Sequence, residues 1–295
     1  MSDLIGLFSY EFARNAMLAA VFASILAGTV GTFVVVKRLV FIAGGVSHAA
    51  FAGLGFCYWL GANPLIGAVV VAVLAALLLG WLGESRARSQ DAMIGLLWAG
   101  GMATGIVFIH MTPGYAPSLM TYLFGDILTV SRGDVHLLAA LTIVVVGVLA
   151  LFYRSLVAVA FDETFAAVQG VPVRWMTTLL LVLMALSVIM LIQVVGIILL
   201  IALFTIPPLI ALMLANRFLA VLVLAVGVGL VTSTGGLLGS YWLDMPSGPA
   251  IVLFGIALVV LVRGAVWLRE RLWLRRMAWE AGDDPRSGQA AGHQE

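Results

Sequence analysis

Residues 42–53 read IAGGVSHAAFAG. One imidazole, His48, stands beside one hydroxyl, Ser47, in a run that is otherwise small and apolar. An imidazole can bind a borderline divalent metal, act as a general base, or hydrogen-bond across a helix interface. Adjacent residues on a helix point about 100° apart, so Ser47 and His48 do not form a nucleophile–base dyad with each other. The remaining histidines are His110, His136 and His293. The single cysteine, Cys57, allows neither an intrachain disulfide nor a cysteine metal cluster. The single lysine, Lys37, follows TFVVV and precedes Arg38. That is not the GxxxxGK[ST] phosphate loop, so ATP is not bound through that motif.

The setting of His48 decides among these uses. The chain has 295 residues, of which 63% are hydrophobic and 10% charged, and its mean hydropathy is +1.16. Soluble domains carry about 25% charged residues. This chain cannot cover a soluble surface and reads as an all-α integral membrane protein, a polytopic helical bundle. No basic leader segment or small-residue cleavage site opens it, so no cleavable signal peptide is expected.

A spanning helix needs roughly 20 apolar residues. The runs 14–36, 43–62, 64–83, 92–111, 134–153, 219–241 and 248–267 qualify. The block 176–214 is apolar throughout and would be about 58 Å long as one helix, twice the hydrocarbon core. It is expected to fold back near Gln193–Gly196, which makes about nine spans. Eight spans with a re-entrant segment is the alternative. With nine spans and the N-terminus outside, 13 of the 15 basic residues fall on the inner side, including Lys37, Arg38, Arg154, Arg174, Arg217 and the C-terminal arginines. The expected topology is therefore multi-pass, N-terminus outside and C-terminus cytoplasmic. Residues 1–267 read as one transmembrane domain. Residues 268–295 read as a cytoplasmic tail that opens with a basic, tryptophan-bearing interfacial helix and ends in a polar, disordered stretch.

In this frame His48 lies ten residues beyond Arg38, about 15 Å along a helix and near mid-membrane. A histidine at that depth serves a path or bonds across a helix interface. The acids cluster at loops and span ends, which does not favour a proton- or sodium-driven carrier. The longest inner loop, residues 153–175, carries Phe161, Phe165 and Val168 at helical spacing with Asp162 and Glu163 beside them, and Gly170 and Pro172 end the unit. A short amphipathic helix there could dock into a partner's groove or lie on the lipid surface. Asp126 and Asp244 sit at outer turns, in GDIL and LDMPSG, where they could cap helices or contact a partner. Residues 112–133 read as an irregular outer loop with a short helix.

Four stretches together resemble a known family. They are VVVKRLVFIAGGVSHAAFAG (34–53), LMTYLFGDIL (119–128), VAFDETFAAVQGVPV (159–173) and SYWLDMPSGPAIVL (240–253). In this order they resemble the membrane permeases of bacterial metal-ion ATP-binding-cassette importers, which take up zinc, manganese or iron. The likeness runs across nearly all of 10–267. It implies a bundle of the cobalamin-importer type in the bacterial plasma (inner) membrane, assembled as a permease homodimer. It also implies two cytosolic ATPases, an extracytoplasmic metal-binding protein, no nucleic acid, no prosthetic cofactor and no enzymatic activity in this chain. The divalent metal is the transported substrate.

The same likeness places His48 in the translocation path as a metal ligand. Some members pair that histidine with an aspartate four residues earlier; here that position is Gly44. His110, and also His136, lie at outer span ends where an incoming metal could first be met. Asp162, Glu163, Phe165 and Gly170 fall in the element that contacts the ATPase, and Asp126 and Asp244 on the side of the binding protein. Zinc is the favoured ion, because imidazole suits Zn²⁺ and the absent carboxylate disfavours Mn²⁺. A metal-chelate or cobalamin-like cargo is the rival within the transporter class. An intramembrane hydrolase using Ser47, or a secondary carrier, would be rivals outside it.

Overall fold

A computed structural model of the chain describes residues 10–82, 87–113, 125 and 127–280. The elements in chain order are α1 (Glu11–Val36), α2 (Val40–Trp59), α3 (Pro64–Leu82), α4 (Ala87–Met111), one turn of 3-10 helix (Ile127–Thr129), α5 (Arg132–Leu151), α6 (Tyr153–Phe161), α7 (Glu163–Val168), α8 (Val173–Leu214), α9 (Phe218–Leu243) and α10 (Ser247–Glu280). Eight of these helices are long and apolar enough to cross a membrane. Helices suit such a chain because every interior backbone group is bonded within its own segment.

Local chemistry sets several boundaries. Pro64 opens α3 at the first helical position, where its missing N–H costs nothing, and the Asn63 side-chain Oδ1 accepts the Leu65 N–H at 2.9 Å. Ser131 and Asp134 form a reciprocal capping box at the start of α5. Between α1 and α2 the chain turns on Arg38, a non-glycine residue at φ 58°. Arg38 N–H bonds to Val35 O and Leu39 N–H to Val34 O. This is a Schellman motif with arginine where glycine is usual.

Helix α8 runs through the middle of the bundle, packed against α1, α2, α3, α9 and α10. It is not one rod. Gly196 has φ 77° and ψ 168°, a conformation that only glycine adopts without strain. The chain reverses there. At the start of α8 the Arg174 guanidinium donates to the Trp81 carbonyl at 3.0 Å. Just past its end, the Phe218 ring packs 5.0 Å from Phe33 and 5.5 Å from Phe161. Trp81, Phe33 and Phe161 all lie at the end of the bundle that carries Lys37. Near Gly196, at the opposite end, Gln193 donates to Asp134 in the first turn of α5 at 2.8 Å. The expected fold-back near Gln193–Gly196 is thus the observed break.

Helix α10 continues without a break from Ser247 to Glu280 and so runs into the basic tail. No proline or capping residue interrupts RERLWLRRM, and Arg271 lies 4.0 Å over the Trp267 ring one turn earlier. Residues 281–295, with His293, lie outside the described residues. One expectation is corrected: Phe161, Phe165 and Val168 do not share one short helix in the loop 153–175. Asp162 is extended (φ −151°, ψ 103°), and its Oδ1 accepts the Phe165 N–H at 2.9 Å, so it ends α6 and caps α7.

Helix α2 is held on two sides by close backbone approach. Gly53 meets Gly67 of α3, and Ala49 meets Gly101 of α4; a Cβ at Gly53, Gly67 or Gly101 would collide with the facing backbone. Small residues allow such approach where lipid supplies no hydrophobic drive. The contacts run in step along α2 and α4 (Gly45 with Ile94, Ala49 with Gly101, Gly55 with Gly105), so the two helices are parallel.

Candidate functional site

The parallel pairing of α2 and α4 puts His48 and Trp98 at one depth. His48 is 8% exposed. Its ring stacks on the Trp98 indole, with centroids 4.3 Å apart and planes 14° from parallel. Phe51, one turn along α2, lies 6.3 Å away and is also stacked. The Nδ1 atom is buried and finds no hydrogen-bond partner among the described residues. A buried polar atom without a partner is costly and asks for an explanation.

Ser47 contributes nothing to the imidazole. It is fully buried, and its hydroxyl donates to Gly44 O of its own helix at 2.6 Å. It also lines a cavity of about 170 Å³ between α2, the start of α3 and the first half of α8, where Asn63 and Gln193 add polar groups. Phe51 lines the same cavity and stacks on His48.

Gly44, one turn before His48, faces Trp98 as well. A Cβ at this position would stand 3.3 Å from the indole Cζ3. An acidic side chain at 44 would have to share this space with the indole. Sequence reasoning passed over Trp98. The signal was available, since His48 and Trp98 fall at matching offsets within spans that run the same way.

The other histidines stand apart. His110 is exposed in the last turn of α4, twelve residues beyond Trp98, about 18 Å along the helix. His136 is exposed at the start of α5. Among the described residues no three of His, Cys, Asp and Glu converge as a metal cluster. Asp244 is the left-handed C-cap of α9 (φ 51°), and its side chain is exposed at the end opposite Lys37. Asp126 lies outside the described residues. Its neighbour Gly125 rests against the backbone of Val195 and Gly196, so that loop touches the break in α8.

At the Lys37 end, the remaining candidates form one unit. Glu163, in the first turn of α7, pairs with Lys37, the C-cap of α1. The Lys37 side chain is only 7% exposed and that of Glu163 26%. Sequence reasoning missed this pair, because the partners are 126 residues apart. Gly170 closes α7 at φ 79°, with Gly170 N–H bonded to Ala167 O and Val171 N–H to Ala166 O. Phe165 and Val168 stand exposed on α7, and Phe161 is exposed at the end of α6. The result is a short capped helix, tied by one ion pair to the α1–α2 junction and presenting apolar side chains outward.

Comparison with known proteins places this arrangement. The model of the ABC 3 transport family matches residues 9–265. An uncharacterized membrane protein of Synechocystis sp. is 39% identical over 244 residues, covering 83% of this chain and 87% of its own. The manganese transport system membrane protein MntC of Halalkalibacterium halodurans is 33% identical over 255 residues, covering 86% of this chain and 87% of its own. Among solved structures, PsaBC from Streptococcus pneumoniae in complex with Fab superposes with a TM-score of 0.78 at 29% identity, over 88% of this chain and 93% of that one.

Proposed function

The chain belongs to the ABC 3 transport family, and from that premise we propose that zinc is the preferred ion and His48 the residue that meets it. The coarser function follows from membership: the chain is a transmembrane, non-catalytic permease subunit of an ATP-binding-cassette importer of divalent metal ions. The metal is cargo rather than a resident cofactor.

The observation that carries the finer reading is the buried His48 ring with its unpartnered Nδ1. A lone imidazole holds a borderline ion briefly, which suits conduction better than storage. Zn²⁺ and Fe²⁺ accept nitrogen donors, whereas Mn²⁺ prefers oxygen, and Gly44 offers no side-chain oxygen. In this reading the chain crosses the membrane nine times, with α8 counted as two crossings around Gly196. The Lys37 end is cytoplasmic and the N-terminus external. The bundle is of the cobalamin-importer type and works as a homodimer. Asp162, Glu163, Phe165 and Gly170 form the element that docks on the cytosolic ATPase. Asp126 and Asp244 face an extracytoplasmic metal-binding protein. His110 is a secondary contact for the incoming ion.

The test is accumulation of Zn²⁺, Mn²⁺ and Fe²⁺ in cells that depend on this permease, with wild type beside His48→Ala. The expected result is a loss of zinc uptake of about 10-fold or more at unchanged membrane abundance. Wild-type uptake by His48→Ala would remove His48 from the path and return it to helix packing.

A further inference from the structure

We propose that Trp98 is the specificity-determining residue of the path. Its indole lies on the His48 imidazole and against Gly44, so it holds the one nitrogen donor and crowds the position from which a side-chain oxygen at 44 would have to reach the ion. This deepens the reading of His48 and rests on it. Three observations carry it. The two rings are stacked at 4.3 Å and 14°, which fixes the plane in which both imidazole nitrogens point. The Gly44 Cβ position is 3.3 Å from Cζ3 of the indole, so a carboxylate continuing in that direction runs into the ring. Trp98 comes from α4, whereas His48 and Gly44 share one face of α2, four residues apart. The residue that decides which donors are allowed is thus on a different helix from the donor itself.

The chemistry follows from ligand preference. Mn²⁺ is bound well where carboxylate, carbonyl or water oxygens can gather around it, and imidazole suits Zn²⁺. A tryptophan that crowds the position one turn before His48, where a carboxylate would share its helix face, biases the path toward nitrogen-accepting ions. A flat apolar wall also holds the ring without competing for the metal. The same packing disfavours a larger side chain at 44, since even a Cβ there requires the indole to give by a few tenths of an ångström.

The experiment compares zinc and manganese uptake by the assembled importer carrying wild type, Trp98→Phe, Trp98→Ala, Gly44→Asp, Gly44→Asp/Trp98→Ala or His48→Ala permease. The visible absorption of Co²⁺ bound to each purified permease reports its coordination. Trp98→Phe is expected to keep the wild-type zinc-to-manganese ratio. Trp98→Ala lowers that ratio by about 10-fold, by releasing the orientation of the imidazole. Gly44→Asp alone impairs uptake of both ions. The double variant restores uptake and raises manganese above the Trp98→Ala level, and its Co²⁺ spectrum shifts toward oxygen ligation.

An unchanged ratio in Trp98→Ala, or a Gly44→Asp variant that transports normally, overturns the proposal. If Trp98→Ala fails to assemble, Trp98→Val replaces it, with the same outcomes deciding. Loss of uptake in His48→Ala with no effect at Trp98 sinks this inference alone. Silence of His48→Ala sinks the path reading beneath it.

Discussion

Gly53→Val prevents the permease from folding to a stable bundle, with an expected cost above about 4 kcal/mol. The reason is backbone meeting backbone. Gly53 and Gly67 approach so closely that a Cβ on either falls on the other's carbonyl, and Val71 crowds the same spot. A flexible side chain could swing aside, but a helix axis cannot move without disturbing its other contacts. Helix α2 is also pinned to α4 through Ala49–Gly101 and Gly55–Gly105, so a shift from α3 would be resisted there. Gly147→Ala is the matched control. A Cβ at Gly147 meets open space, and alanine favours the helix by roughly 0.5–1 kcal/mol over glycine. Melting of the detergent-solubilised proteins should separate the two variants sharply. A Gly53→Val protein that melts with wild type would show that the α2–α3 contact is looser than described.

Breaking the Lys37–Glu163 pair has the second large effect, on coupling rather than on folding. Lys37→Met leaves a partly buried carboxylate unpaired and Glu163→Gln leaves a buried ammonium without its counter-charge. The pair joins α7 to the turn from which α2, and hence His48, begins. Losing it uncouples movement at the exposed apolar face of α7 from the α1–α2 junction. Both single variants are expected to lose most metal-stimulated ATP hydrolysis in the assembled importer while keeping basal hydrolysis. The exchange Lys37→Glu/Glu163→Lys should recover a large part of it. Single variants with full stimulation, or an exchange no better than its parents, would reduce the pair to a surface contact.

How much of this was legible beforehand depended on range. Features written into one segment could be read: the hydrophobic runs, the overlong block that breaks at Gly196, the Gly170 stop, and the turn before α10. Signals that compete locally were read less well. Asp162 was visible as an acid near aromatic residues, but its stronger role is to cap α7 and split the helix. What could not be read locally is pairing across the chain. Lys37 and Glu163 meet only because α1 ends and α7 begins at the same face. Trp98 reaches His48 only because α2 and α4 run parallel in close contact. The chemistry of the histidine therefore depends on a residue fifty positions away.

The most direct test of the account is metal-driven turnover in a defined system. The permease, its partner ATPase and its extracytoplasmic metal-binding protein would be reconstituted in vesicles. ATP hydrolysis and ion uptake would then be measured with Zn²⁺, Mn²⁺ and Fe²⁺ in turn. The account predicts that metal-loaded binding protein raises both activities together, most strongly with zinc. A complex that assembles and hydrolyses ATP, yet moves none of the three ions, would contradict it.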